Sequence, residues 1–548
     1  MSSISIVLAM LLAVAASGYL VRIVPISVPL PFMQIALGAI ISGVFDGGHE
    51  LEPDLFFLLF LPPLLFLDGW TIPKRGLFRD RMAILELAFG LVIFSVIGVG
   101  FLIHSIIPHL SLAIAFALAA IVTPTDPVAL NSVAAKVPIP KRILYILQGE
   151  SLFNDATGVV CFQFAVSAAL TGQFSLAHAS LTFLWVALAG AIVGALSVFT
   201  ISVVQSLVWR KFGAEPGASI LVNLLCPFAA YILAEHLQAS GILAAVTAGF
   251  VMSYVEMSGA APGILRVQRW AVWDTVKFAF NGIIFVLLGE QLPEIVERAM
   301  RLVRESDNLN PIWLVMYVVA ISAGLAGLRF LWVFLSLRWT LFRTARRDQL
   351  FAPLSWRIIA IMSLAGVRGA VTLAGVLTLP MTMPSGAPLP GRQLIIFLAT
   401  SVILVSLVVA RLALPPLLRG LVMPEDDSHT EDEEVALRQS AKAALDAIEK
   451  HRQDLSQKTE NSDCYNLAAT QVSQLYQRRL GIEDSTENDP EKAQITEAAI
   501  RRFHQVGLAA ERDEIFKMAR QGQISDTLSR HIVHSLDLNE VRHVRNQE

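Results

Sequence analysis

The chain has 548 residues, of which 55% are hydrophobic and only 16% charged, with a mean hydropathy of +0.60. Ordinary soluble proteins carry about 25% charged residues, so a soluble enzyme is excluded and a polytopic membrane protein is implied. The formal net charge of -3 hides a division between a sparsely charged body, residues 1–421, and a densely charged tail, residues 422–548, and therefore points to no nucleic-acid partner.

Apolar runs long enough to cross about 30 Å of hydrocarbon fall near residues 4–21, 28–45, 54–70, 82–107, 111–133, 143–170, 180–208, 217–237, 240–257, 275–292, 312–338, 354–380 and 393–419. The fold class predicted is therefore all-α and polytopic, with about thirteen transmembrane helices. The first run has no basic residue before it and reads as a span rather than a cleaved signal. Alternate loops collect the basic residues: Arg22; then Lys74, Arg75, Arg79 and Arg81; then Lys136, Lys141 and Arg142; then Arg210 and Lys211; then Arg266 and Arg269; then Arg338, Arg343, Arg346 and Arg347. Basic residues gather on the cytoplasmic side, so the N-terminus is expected outside and the tail in the cytoplasm. Cys161, Cys226 and Cys464 are far apart, without metal-ligand spacing, and read as packing residues.

Two spans are interrupted. The fifth reads LAAIVTPTDPVALNSVA, where Pro124 and Pro127 bracket Thr125 and Asp126 and should break the helix. The twelfth reads MSLAGVRGAVTLAGVL, with Gly366, Gly369 and Gly375 around a buried Arg368. A single break is an ordinary kink or packing contact in a membrane helix. Two breaks in matching halves of the body are the sequence mark of a secondary transporter built from inverted repeats. Such breaks expose amide and carbonyl ends mid-membrane, which Asp126 and Arg368 are placed to offset.

The sixth span carries the densest chemistry, GESLFND at 149–155. Helical spacing sets Ser151 and Asp155 on one face and Glu150 and Asn154 on the adjoining one. A carboxylate inside a membrane helix is a functional-site candidate by default. Arg329, in AGLRFLW of the eleventh span, is the expected partner of Glu150, because each charge alone at that depth is costly. Asp155 has no obvious basic partner. His104, His109 and His236 at span ends, and Glu86 and Glu290, are expected at interfaces.

GESLFND, TPTDP, LPPLLFLDGW at 61–70 and GVRGA at 366–370 together resemble the bacterial sodium/proton exchangers of the monovalent cation/proton antiporter-1 family. The similarity runs through the whole membrane body, and more loosely into ARQGQISDTLSRHIVHSLDLNEV of the tail. The resemblance implies two crossed broken helices, a homodimer in the bacterial inner membrane, and exchange of Na+ for H+ without a cofactor. It assigns ion and proton binding to Asp155, Asn154, Ser151, Thr125 and Asp126, with Asp68 as the acid of the third helix. A carboxylate, a hydroxyl, an amide and freed carbonyls suit a hard cation such as Na+. Proton and cation would compete for one carboxylate, and Asn at 154 favours electroneutral exchange. Exchange of K+ or of several monovalent cations is the alternative reading, a cation channel a remote one. No nucleophile-base or metal-dyad arrangement for an intramembrane hydrolase is present, so no enzymatic activity is expected.

In the tail, the acidic run PEDDSHTEDEEV reads as a linker or helix start, followed by amphipathic helices near 436–455, 467–479, 491–520 and 525–536. They are expected to pack under the body as a helical, regulatory unit, with no phosphate loop or metal spacing to name a ligand.

Overall fold

The computed structural model describes residues 2–24, 28–44, 53–126, 141–172, 176–213, 215–258, 261, 263–305, 311–344, 356–383, 386, 389–419, 428–456, 462–479 and 490–545. All elements within them are helical. The body comprises α1 (Ser2–Ile23), α2 (Leu30–Val44), α3 (Pro53–Thr71), the short α4 (Lys74–Arg79), α5 (Arg81–Ile106), α6 (Leu112–Val122), α7 (Lys141–Thr171), α8 (Leu176–Phe212), α9 (Pro216–His236), α10 (Gly241–Glu256), α11 (Gly263–Glu305), α12 (Pro311–Thr344), α13 (Trp356–Leu364), α14 (Ala370–Leu377) and α15 (Arg392–Leu418). Eight of these helices are long and apolar enough to cross a membrane, and Leu30–Val44, Leu58–Thr71, Leu112–Val122 and Gly241–Glu256 are shorter apolar helices. The tail forms α16 (Ser428–Ser456), α17 (Ser462–Arg479), α18 (Pro490–Arg520) and α19 (Asp526–Arg545).

Local chemistry sets several boundaries. Ser111 and Ser240 cap α6 and α10 by accepting from the Ile114 and Leu243 amides at 3.4 and 3.2 Å, and Glu215 caps α9 on the Ala218 amide. Within α5, Glu86–Leu91 is a π-helical turn. Glu86, early in α5 and partly exposed, accepts from the Ser336 hydroxyl of α12 at 2.5 Å. Helix α11 is far longer than the apolar run 275–292. It begins at Gly263 because Arg266 and Arg269, placed in a loop by sequence, are neutralised by Asp537 and Glu256 at 2.8 and 3.0 Å. Glu290, expected at an interface, is only 3% exposed, inside the same helix.

Packing brings the broken spans to the middle of the body. One apolar core joins α2, α3, α7, α11, α13 and α15, and a second joins α5, α6, α12 and α15. Their boundary is the crossing of the two interruptions. Helix α3 lies against α10 so closely that a side chain at Gly249 would stand 1.9 Å from the Phe66 carbonyl. This contact holds the helix that bears Asp68. The tail helices pack on one another around Phe503 and Tyr476, and around Ile515, Phe516 and Ile532.

Candidate functional site

Helix α6 ends at Val122, where Pro124 follows and cannot continue the amide ladder. Pro127 lies outside the described residues. Helix α13 ends at Leu364 and α14 starts at Ala370, so residues 365–369 are unwound. The two unwound segments meet directly. The Asp126 amide donates to the Val367 carbonyl at 2.6 Å, and the Asp126 carboxylate lies against Gly369, where a Cβ would stand 1.9 Å from Oδ2. Gly369 is required for that approach. Gly375, by contrast, sits within α14, where it makes room for Ile121.

The freed carbonyls are met by arginines. Arg368 donates through Nε to the Val122 carbonyl, the last of α6, at 3.0 Å, and through a terminal nitrogen to the Gly366 carbonyl at 2.6 Å. Arg329 donates to the Met362 carbonyl near the end of α13 at 3.0 Å. Its other two nitrogens grip Glu150 at 2.5 and 2.6 Å, with both side chains nearly sealed from solvent, 4% and 1% exposed. Arg329 thus serves both the ion pair and a helix end, and sequence reading assigns it only the first. A small cavity beside this pair is lined by Ser95, Thr123, Glu150, Arg329 and Arg368.

On α7, Glu150, Ser151, Asn154 and Asp155 are all buried. The Thr125 hydroxyl donates to Glu150 Oε1 at 3.3 Å and accepts from Asn154 Nδ2 at 3.0 Å. The amide nitrogen of Asn154 is therefore spent on Thr125 and Glu150, and its oxygen, Oδ1, is buried with no hydrogen-bond partner. A buried carbonyl oxygen without a donor is uncommon in proteins. Asp155 is 8% exposed, and the acids Asp126, Asp68 and Glu150 are among its charged neighbours. Arg329 neutralises Glu150, and Asp155, Asp126 and Asp68 bring three further carboxyl groups near one another. Asp68, half-buried near the end of α3, has Asp126, Asp155 and Lys277 among its charged neighbours. Lys277, in α11, is a site neighbour that sequence reading omits. Its signal is a lone lysine early in the apolar run that starts at 275.

The structure brings Asp155, Asn154, Thr125, Asp126, Glu150, Arg329 and Arg368 to one crossing, with Asp68 at its edge. Ser151 lies one helical turn from Asp155 on the same face of α7. Two unwound helices that cross beside buried acids define a secondary ion transporter. Residues 8–420 match the family described as sodium/hydrogen exchanger, transmembrane. The chain is 38% identical over 540 residues to an uncharacterised Na(+)/H(+) exchanger, YjcE, of Escherichia coli (strain K12), covering 97% of each. It is 35% identical over 526 residues to the sodium, potassium, lithium and rubidium/H(+) antiporter of Bacillus subtilis (strain 168), covering 95% of this chain and 75% of that protein. Its fold is similar to the sodium proton antiporter MjNhaP1 of Methanocaldococcus jannaschii, with a TM-score of 0.57 and 18% identity over 77% of this chain and 99% of the other. The chain belongs to the sodium/hydrogen exchanger family, a family of membrane antiporters rather than enzymes.

Proposed function

We propose that this protein exchanges Na+, and Li+ with it, for H+ across the bacterial inner membrane by alternating access, with Asp155 holding the proton and the cation in turn. The observation that carries the reading is the pairing, at the crossing, of the buried Asp155 carboxyl, with the acids Asp126, Asp68 and Glu150 near it, and an amide oxygen that has no donor, Asn154 Oδ1. Negative charge plus an unmatched oxygen is what a hard, oxygen-seeking cation satisfies. Ser151, Thr125, Asp126 and carbonyls of the unwound segments supply the remaining oxygens, with Asp68 at the approach from α3. A proton on Asp155 removes the charge that attracts the cation, and the cation displaces the proton. If only the loaded states change the side to which the site opens, exchange follows.

Glu150, Arg329 and Arg368 hold the architecture. The ion pair leaves no net charge beside Asn154, and the arginines satisfy carbonyls that the breaks set free. With asparagine at 154, one carboxylate serves each cycle and the exchange is electroneutral. The assembly we assign is a homodimer in lipid, with the N-terminus outside, the tail in the cytoplasm and pH homeostasis as the cellular role.

A second reading, exchange of K+ and other monovalent cations, is favoured by the name of the Bacillus subtilis relative, because these oxygen ligands do not by themselves fix an ion radius. Proteoliposomes carrying a pH dye test both. Na+ gradients should drive proton flux in the native protein and not in Asp155→Asn, which should still insert and fold. Flux that survives the substitution removes Asp155 from the mechanism, and equal flux with K+ establishes the broader reading.

A further inference from the structure

The tail grips the body at two corners. At the first, between α3 and α4, Asp526 accepts from the Lys74 backbone amide at 2.8 Å and lies 3.9 Å from its ammonium group. Arg530 donates to the last carbonyls of α3, Trp70 at 2.9 Å and Thr71 at 2.7 Å. At the second, between α10 and α11, Arg266 makes a two-pronged pair with Asp537 at 2.9 and 2.8 Å. Arg512 also holds Asp537 at 2.8 Å, and Arg520 donates to the Met257 carbonyl at 2.7 Å. Helix α19 thus ties together two corners that adjoin in space but are far apart in sequence.

The chemistry of this interface is polar. In the apolar cluster shared by α18 and α19, Met257 is the sole body residue among the described ones. Attraction in such an interface comes from charge pairs and carbonyl bonds, whose Coulombic gain is largely offset by desolvation. Docking is then close to balanced, and it weakens as salt screens the charges of the separated surfaces, over a range that shrinks from about 30 Å at 0.01 M to about 10 Å at 0.1 M.

The grip bears on the ion site through α3. Arg530 holds Trp70 and Thr71, two and three residues beyond Asp68, and α3 contacts α7 and α14 at the crossing. While α19 is docked, its bonds tie the end of α3 to the start of α11, which opposes any rearrangement that separates them to open the site towards the tail. We propose that α19 is an autoinhibitory clamp on the α3–α4 corner that is released by rising ionic strength on the tail side, so that salt loading speeds exchange.

The activity arm rests on the exchange reading; the docking arm does not. The Lys74 amide reports docking, because Asp526 is its acceptor, and its hydrogen exchange in the full-length protein should rise with choline chloride, which supplies ionic strength without a transported alkali cation. Asp537→Arg sets a third cation against Arg266 and Arg512, and Asp526→Ala/Arg530→Ala removes the α3 grip. Both should raise exchange at the Lys74 amide at low salt, and raise Na+-driven turnover in proteoliposomes about fivefold or more, the low end of ordinary coupling between sites. Choline chloride should then add little. Faster hydrogen exchange with unchanged or lower turnover overturns the clamp, as does a Lys74 amide indifferent to salt and to both variants. Absence of Na+-driven flux in every form, with the docking response intact, contradicts the exchange reading instead.

Discussion

The Asp126 amide donates to the Val367 carbonyl across 2.6 Å, so the backbone of one broken helix closes on the backbone of the other. Neither segment has the regular amide ladder of a helix, and in a lipid interior amides and carbonyls cost several kcal/mol each if left unmet. The crossing is therefore a single unit, in which a change on one strand is felt on the other.

Gly369→Ala tests that unit. The added methyl carbon would stand 1.9 Å from Asp126 Oδ2, so the carboxylate or the backbone must move. A loss of about 1–3 kcal/mol in stability is expected from overpacking of this kind, together with loss of most exchange, measured as thermal unfolding in detergent beside flux in proteoliposomes.

Thr125→Val should act on cation affinity. It takes the 3.0 Å acceptor from Asn154 Nδ2, leaving only the 3.5 Å contact with Glu150, and loosens the amide, at a cost of about 1 kcal/mol for the lost bond. The KM for Na+ should rise while the maximal rate changes less, and Thr125→Ser, which keeps the hydroxyl, should restore the native KM.

Arg329→Ala should be among the most destabilising substitutions in the body. It takes the cationic partner from Glu150 and the donor from the Met362 carbonyl together, and breaking one side of a buried pair costs about 3–5 kcal/mol. Arg329→Gln combined with Glu150→Gln should recover part of the lost thermal stability, because no uncompensated charge remains.

Lys74, on α4 beyond the end of α3, gives the tail contact a pH dependence. Burial, then Arg530, pull its ammonium down from 10.5 to about 7, against the opposing pull of Asp526 and Glu256. The rings of Phe250 and Tyr254 also face it, and Tyr145 of α7 packs against neighbouring Gly76. Above about pH 7 the docked state holds fewer protons than the released one, in which Lys74 is freed of Arg530, so docking weakens as pH falls towards 7 and changes no further below it, by at most about tenfold per pH unit for one proton. Lys74→Met should flatten the response, read as hydrogen exchange at amides 75–80 corrected for intrinsic rate.

Much of the site was legible because charge is sparse in the body. Glu150, Asp155, Arg329 and Arg368 stand out in apolar runs, and the cost of isolated buried charge is enough to match Glu150 with Arg329. Proline and glycine mark both breaks. Contacts made over long sequence separations were not legible. Arg266 and Arg269 look like loop charges until Asp537, 271 residues further along from Arg266, is seen to cover the first of them. The same holds for the end of α3, which sequence leaves bare and Arg530 caps, and for Lys277, whose relation to Asp68 depends on the packing of α11 near α3. Which oxygen of Asn154 or Thr125 is already engaged is likewise a matter of geometry.

The central claim is that proton and cation share Asp155. Calorimetric titration of the purified protein with NaCl, in buffers of differing ionisation enthalpy, counts the protons released as sodium binds. One proton should leave for each ion bound in the native protein where Asp155 starts protonated, and none in Asp155→Asn. Sodium binding with no proton release at any pH in the native protein, or with undiminished release in the variant, would contradict it.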